Sequence, residues 1–135
     1  MKGIVNPQES REWALGDLEV TFLHFDYRFT LEMWSDDRSL SIVFGSPFLL
    51  RLPAGEETTF DPEKNDTLGP LLSLLHRPVS TFSASSNGQC VLRFADGTEL
   101  RGQPHPHFEA WEACGTGGLK SVGLLCGPGG GAPWG

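Results

Sequence analysis

Glycines, prolines and Asn/Asp pairs cut this chain into short runs, and most runs alternate apolar and polar residues. Alternation puts every second side chain on one face of a strand, and turn signals this close together leave no room for long helices. In "LEVTFLHF" (18–25), Val20 and Phe22 alternate with Glu19 and Thr21. In "RFTLEMW" (28–34), Phe29, Leu31 and Met33 take one face and Thr30, Glu32 and Trp34 the other. After the turn "SDDR" (35–38), Leu40, Ile42 and Phe44 share a face of "SLSIVF" (39–44). These three segments predict an antiparallel meander, with "SPFLLRL" (46–52) as a returning fourth strand.

The polar stretch 53–67 reads as a connecting loop. Leu68, Leu71, Leu72 and Leu75 then recur at helical spacing, with Asp66 or Thr67 placed to cap, Pro70 in the first turn and Pro78 as a stop. That predicts one short central helix. Asn87-Gly88 and Asp96-Gly97 are hairpin signals that divide 79–102 into a second meander. "FEAWEAC" and "SVGLLC" predict a C-terminal hairpin, and "GPGGGAPWG" (127–135) a flexible end unless Trp134 docks. The halves align at an offset of about sixty residues: Val20 near Val79, Leu40 on Leu100, Phe48 on Phe108. The fold expected is mainly β with an α+β fringe. Two repeated antiparallel β-meanders form a sandwich or one curled sheet, joined by the helix and closed by the C-terminal hairpin. One domain spans 1–135: meander 1 over about 15–52, loop and helix over 53–77, meander 2 and hairpin over 78–126, and the tail.

The net charge is −7, and the ten Lys and Arg residues are scattered. Phosphate binding needs clustered cations, so nucleic acid and anionic membrane surfaces are excluded as partners, while a basic partner is permitted. No apolar run approaches a transmembrane length, and "MKGIVNPQESREW" lacks the apolar core of a signal peptide. Three cysteines, Cys90, Cys114 and Cys126, are an odd number without a CxxC and have apolar neighbours. A cytoplasmic protein with buried, inert thiols is expected.

The densest chemistry lies in "PHPHFEAWE" (104–112). In an extended strand His105 and His107 would point the same way, but two ligands without a third do not make a metal site. Glu109 and Trp111 would share a strand face, where an indole can raise a carboxyl pKa; with no nucleophile in view, an anchor with a supporting carboxylate is the simpler reading. Asp36-Asp37 falls in a turn where Asp is favoured for backbone reasons alone, whereas Asp26 sits in the first hairpin turn beside Tyr27, the chain's only tyrosine, an exposed pair that would suit recognition. "CGTGGLKS" has Leu119 where a phosphate loop requires glycine, and GxSxG is absent. The sequence therefore assigns no catalytic residue, no metal and no cofactor.

Together these residues resemble an uncharacterised, mostly actinobacterial family of small β-rich proteins, a domain of unknown function. The pattern is DG-x-x-L, then Pro-x-Pro-x-(Tyr/Phe)-Glu-x-Trp, then a strand ending in Cys-x-Pro-Gly-Gly and a terminal Trp. It is met by "RFADGTELRGQPHPHFEAWEACG" and "GLLCGPGGGAPW", and in the first half by "VTFLHFDYRFTLEMW" and "LSIVFGSPFLL". The resemblance covers roughly 15–134 and implies a single fold without an activity. Three positions depart from it. His105 and His107 replace acidic or polar residues, and Gly102 replaces an apolar strand residue.

Four Trp and nine Phe exceed what one small core needs. Trp34 lies opposite the Phe29-Leu31-Met33 face, and Val43 and Leu49 also oppose their apolar neighbours; the helix and loop would otherwise have to cover that second face. Strands apolar on both faces are sandwiched or meet another molecule. The expected function is a non-enzymatic protein-interaction module, one concrete form being an immunity-type protein that masks a basic toxin. A protein partner or a homodimer would be held through candidate residues Asp26, Tyr27, Trp34, Glu109 and Trp111. The alternative is a small-ligand-binding protein or enzyme with a pocket between the halves around Glu109 and Trp111.

Overall fold

In the computed structural model, residues 9–134 are described. Eleven strands among them form two antiparallel sheets. The strands are β1 (Ser10–Ala14), β2 (Glu19–Phe25), β3 (Phe29–Trp34), β4 (Arg38–Phe44), β5 (Phe48–Arg51), β6 (Glu57–Phe60), β7 (Val79–Ser85), β8 (Cys90–Phe94), β9 (Glu99–Gly102), β10 (Trp111–Gly117) and β11 (Gly123–Cys126). One sheet runs β1-β7-β8-β9-β5-β6, the other β11-β10-β4-β3-β2. The two expected meanders are β2-β3-β4 and β7-β8-β9, and they lie in opposite sheets. The strands after each meander then exchange: β5 leaves the first to pair with β9, and β10 leaves the second to pair with β4. The C-terminal hairpin β10-β11 thus extends the first meander's sheet.

The core lies between the sheets because alternation turns one row of each strand inward. Phe48 of β5 stacks on Phe44 of β4 at 4.6 Å and on Phe29 of β3 at 5.3 Å between ring centroids. Trp111 of β10 meets Phe82 of β7 edge-on at 6.1 Å. Such pairs add to the area they bury.

Four expectations change. First, the central helix is two short 3-10 turns, Asn65–Thr67 and Gly69–Leu74. Leu68, Leu71 and Leu74 are buried, a period of three, while Leu72 and Leu75 are exposed. The stretch between Gly69-Pro70 and Pro78 is too short to nucleate an α-helix, and eclipsed leucines suit the tighter turn. These turns close one side of the sandwich without covering a sheet face, and the following residues cap the edge of β2: His76 N–H donates to Val20 O, and Val20 N–H to Arg77 O.

Second, a β-bulge at Thr21 puts Val20 and Phe22 on opposite faces. Val20 is buried and Phe22 is 46% exposed. Third, β1 and β6 form where neither was expected. Each contributes one inward aromatic, Trp13 and Phe60, too little for alternation to register. Fourth, the tail docks. Trp134 packs on the core with the Arg11 guanidinium 4.1 Å from its ring centre, and Leu125 N–H donates to Pro133 O along the edge of β11. No helix among the described residues is long and apolar enough to cross a membrane.

Asp17, ahead of β2, is clamped by Arg38, the first residue of β4, with Nε 3.1 Å from Oδ2 and a second nitrogen on Oδ1. Hydrogen bonds from Arg38 hold the Asp17 carboxyl at about 2, below its ordinary 3.8. A carboxyl lowered in the folded state stabilises the fold above its ordinary value, and the contribution is lost as pH falls from 3.8 to about 2. A carboxyl-carbon NMR titration should place the Asp17 midpoint near 2, and Arg38→Ala should raise it toward 3.8. An unmoved midpoint would contradict the clamp.

Candidate functional site

The two outer faces differ in charge. Outward rows of the six-stranded sheet carry Glu12, Arg93, Glu99, Arg101, Arg51 and Glu57. They are cross-linked: Arg93 and Arg101 reach Glu99 at 3.2 and 2.7 Å, and Arg93 lies 3.9 Å from Glu12. That face is balanced and solvated.

The five-stranded sheet is different. Strand pairing sets its outward side chains in three rows: Glu19-Trp34-Ser39-Thr116, Phe22-Glu32-Ser41-Cys114-Gly123, and His24-Thr30-Val43-Glu112-Leu125. Its strands hold one Lys or Arg, Arg38, already committed to Asp17. Trp34 is 51% exposed, and Phe22 and Leu125 nearly as much. Phe22 stacks on His24 with ring centroids 6.1 Å apart.

At one end of this face lies a hollow of about 550 Å³ bordered by Trp34, Asp17, Glu19, Ser35, Asp36 and Asp37. Antiparallel order builds it: the entry to β2 and the β3-β4 turn come to the same end of the sheet. Trp34 ends β3 on an outward position, and its indole N–H donates to Glu32 Oε1 at 3.2 Å. The bond fixes the ring while leaving its face open. Glu19 also lies 3.5 Å from His76 Nδ1. Carboxylates around an exposed indole make a receptor for a cationic side chain, which the ring quadrupole and the charges both attract.

Asp26 and Tyr27 are at the opposite end, in the β2-β3 turn, about 20 Å from Trp34 along β3. Asp26 lies 3.3 Å from His24 Nε2. Tyr27 is 71% exposed with φ 71°, a left-handed conformation that costs a non-glycine residue energy. Glu109 is on the same end, exposed beside Arg28 and Leu125, above a depression of about 40 Å³. Ligand pockets hold roughly 300–1,000 Å³. Glu109 and Trp111 therefore do not frame the pocket considered from sequence, and Trp111 is buried.

The segment around Trp111 is a structural junction. Residues 103–110 bend and are not a strand, so His105 and His107 do not share a strand face. His105 Nδ1 accepts the His107 amide at 3.0 Å, and the His105 ring lies 4.9 Å from Phe108. His105 O accepts Gly129 N–H at 2.8 Å, and Trp111 Nε1 donates to Gly88 O at 2.9 Å. The Pro-x-Pro…Trp and Pro-Gly-Gly segments thus meet each other and the Asn87-Gly88 turn. Phe108, which the sixty-residue offset placed on buried Phe48, is exposed. Among the described residues no three His, Cys, Asp or Glu side chains gather in a metal-binding arrangement. Burial pushes the Cys90 and Cys126 thiols up, whereas Cys114 points outward beside Ser41 and is exposed, contrary to expectation.

Of the sequence candidates, Trp34 stands in the acidic hollow, Asp26, Tyr27 and Glu109 border the far end, and Trp111 belongs to the core. Sequence reading missed Asp17, Glu19 and Phe22. The signal for Phe22 was the phase slip in "VTFLHF", where Leu23 and Phe25 stay with Val20 only if one residue is extra.

A family model described as "Family of unknown function (DUF6188)" matches residues 12–135. No curated protein and no solved structure matches the chain.

Proposed function

The chain belongs to DUF6188, a family of unknown function, and we propose that it is a non-enzymatic protein-interaction module that docks a basic protein on the outer face of its five-stranded sheet. The carrying observation is the hollow in which Glu19, Asp36 and Asp37, beside the Arg38-paired Asp17, border the exposed face of Trp34. An arginine or lysine of the partner would lie over the indole, with Phe22 and Leu125 giving apolar contact along the sheet. Complementary charge speeds encounter and rejects acidic competitors. A second copy of this chain would bring like charges together on this face, so a basic partner is favoured over a homodimer. Masking a basic toxin, as an immunity protein does, is one form of this activity.

Affinity capture from the native lysate tests it. Wild type should retain a basic protein that elutes with added salt. Trp34→Ala should weaken retention at least about tenfold, the scale of an aromatic anchor, with the melting temperature unchanged because Trp34 is half exposed. Arg93→Glu on the opposite face should leave capture intact. A partner lost with Arg93→Glu but kept with Trp34→Ala would overturn the assignment of the face. A monomer retaining nothing would overturn the function.

A further inference from the structure

A histidine stands beside one carboxylate of the acidic hollow: His76 Nδ1 lies 3.5 Å from Glu19 Oε2. The backbone puts it there. Val79 N–H donates to Leu18 O, His76 N–H to Val20 O, and Val20 N–H to Arg77 O, so residues 76–79 are bonded to the start of β2 on both sides of Glu19. His76 itself takes φ 67°, a left-handed conformation that persists in a non-glycine residue only where its surroundings impose it. Across β2 and β3, Glu19 pairs directly with Trp34, and both border the hollow.

Glu19 therefore has two claimants, the imidazole and a cation seated over Trp34. Arg38 already holds Asp17, which leaves Glu19, Asp36 and Asp37 for that cation. Among the described residues no other acid is within ion-pair distance of His76. Arg77, next in the chain, is held 3.1 Å from Asp96 of the β8-β9 turn. His24, the histidine within β2, sits beside Asp26. It is about 15 Å along the strand from Glu19, beyond a Debye length at physiological salt.

We propose that protonation of His76 weakens the docking of the basic partner, so that this face holds its partner near neutral pH and loosens it in acid. The proposal rests on the docking reading above. A charged imidazole draws the Glu19 carboxylate to itself and adds a positive charge next to the partner's own, and the neutral ring does neither. Both side chains are at least half exposed, so water screens the effect to about three- to fivefold in affinity, the scale of exposed pairs.

The probe is a rhodamine-labelled hexapeptide of alternating arginine and valine, titrated into the full chain at constant salt. Fluorescence anisotropy is read at about pH 7.5 and about pH 5.5, an interval in which arginine stays charged, carboxylates ordinarily stay ionised and histidine changes. Affinity should fall about three- to fivefold at the lower pH. His76→Asn, a neutral residue that tolerates the left-handed backbone, should remove most of the fall, and His24→Gln should keep it. If His76→Asn does not fold, calorimetry of the wild type decides: binding at about pH 6.5 should release protons, read as a heat that varies with the ionisation enthalpy of the buffer. Equal affinity at the two pH values, a fall that survives His76→Asn or vanishes with His24→Gln, or binding without proton release would overturn the proposal and leave the docking reading standing. A probe that does not bind even at about pH 7.5 would overturn both.

Discussion

Trp111→Ala should cost about 4 kcal/mol of folding free energy, the range for deleting a large buried aromatic. A domain of this kind has roughly 5–15 kcal/mol in total, so the variant would sit near its unfolding threshold. Two losses add. The indole is 2% exposed and fills space between the sheets against Phe82, so its removal opens a cavity. Its N–H is also the partner of the Gly88 carbonyl. Trp111→Phe separates the terms: it keeps most of the ring and deletes the donor, and should cost about 1–2 kcal/mol. Urea unfolding of the three proteins measures both. Equal losses for Phe and Ala would mean that the hydrogen bond, and not the ring, holds the junction.

Gly102→Ala carries the second large effect. A Cβ there would lie 2.7 Å from Cys90 Sγ, 2.9 Å from Trp111 Cδ1 and 3.0 Å from Phe44 Cε1. All three belong to buried side chains, so the added methyl has nowhere to go, and overpacking of about 2–3 kcal/mol follows. In the six-stranded sheet Gly102 pairs with both Phe48 and Cys90, and the indole of the opposite sheet approaches where a side chain would stand. Gly123→Ala is the control, since a Cβ at Gly123 meets nothing within 4 Å. Adding Cys90→Ala to Gly102→Ala removes the nearest atom, so the double variant should lose less than the sum of the singles. Strict additivity would argue against the clash.

Gly102 is where the sequence looked least like a strand, and the reason lies in a partner that no local pattern contains. The same holds elsewhere. Strand runs were legible because burial on one face writes itself into alternation: β3 and β8 show it residue by residue, and β4 from Leu40 onward. The 3-10 turns were misread because Leu72, which completed the helical stripe, is exposed, while Leu74, off the stripe, is buried. The acidic hollow was illegible for another reason. Asp36 and Asp37 are ordinary turn residues taken alone. They border one hollow only when Asp17 and Glu19 arrive from another segment and Trp34 stands among them. Tyr27 and Trp111 are both large aromatic residues, yet the turn exposes one and the core absorbs the other.

The exchange of strands between the meanders has a kinetic consequence. Ser10 pairs with Ser85 and Phe44 with Trp111, so the ladders that complete each sheet join residues from distant parts of the chain. Neither half can finish a sheet alone, and neither can cover its inward row without the other. Folding is therefore one late, collective event in which long loops close before most contacts are made. That topology belongs to the millisecond-to-second regime, slow for a chain of this size.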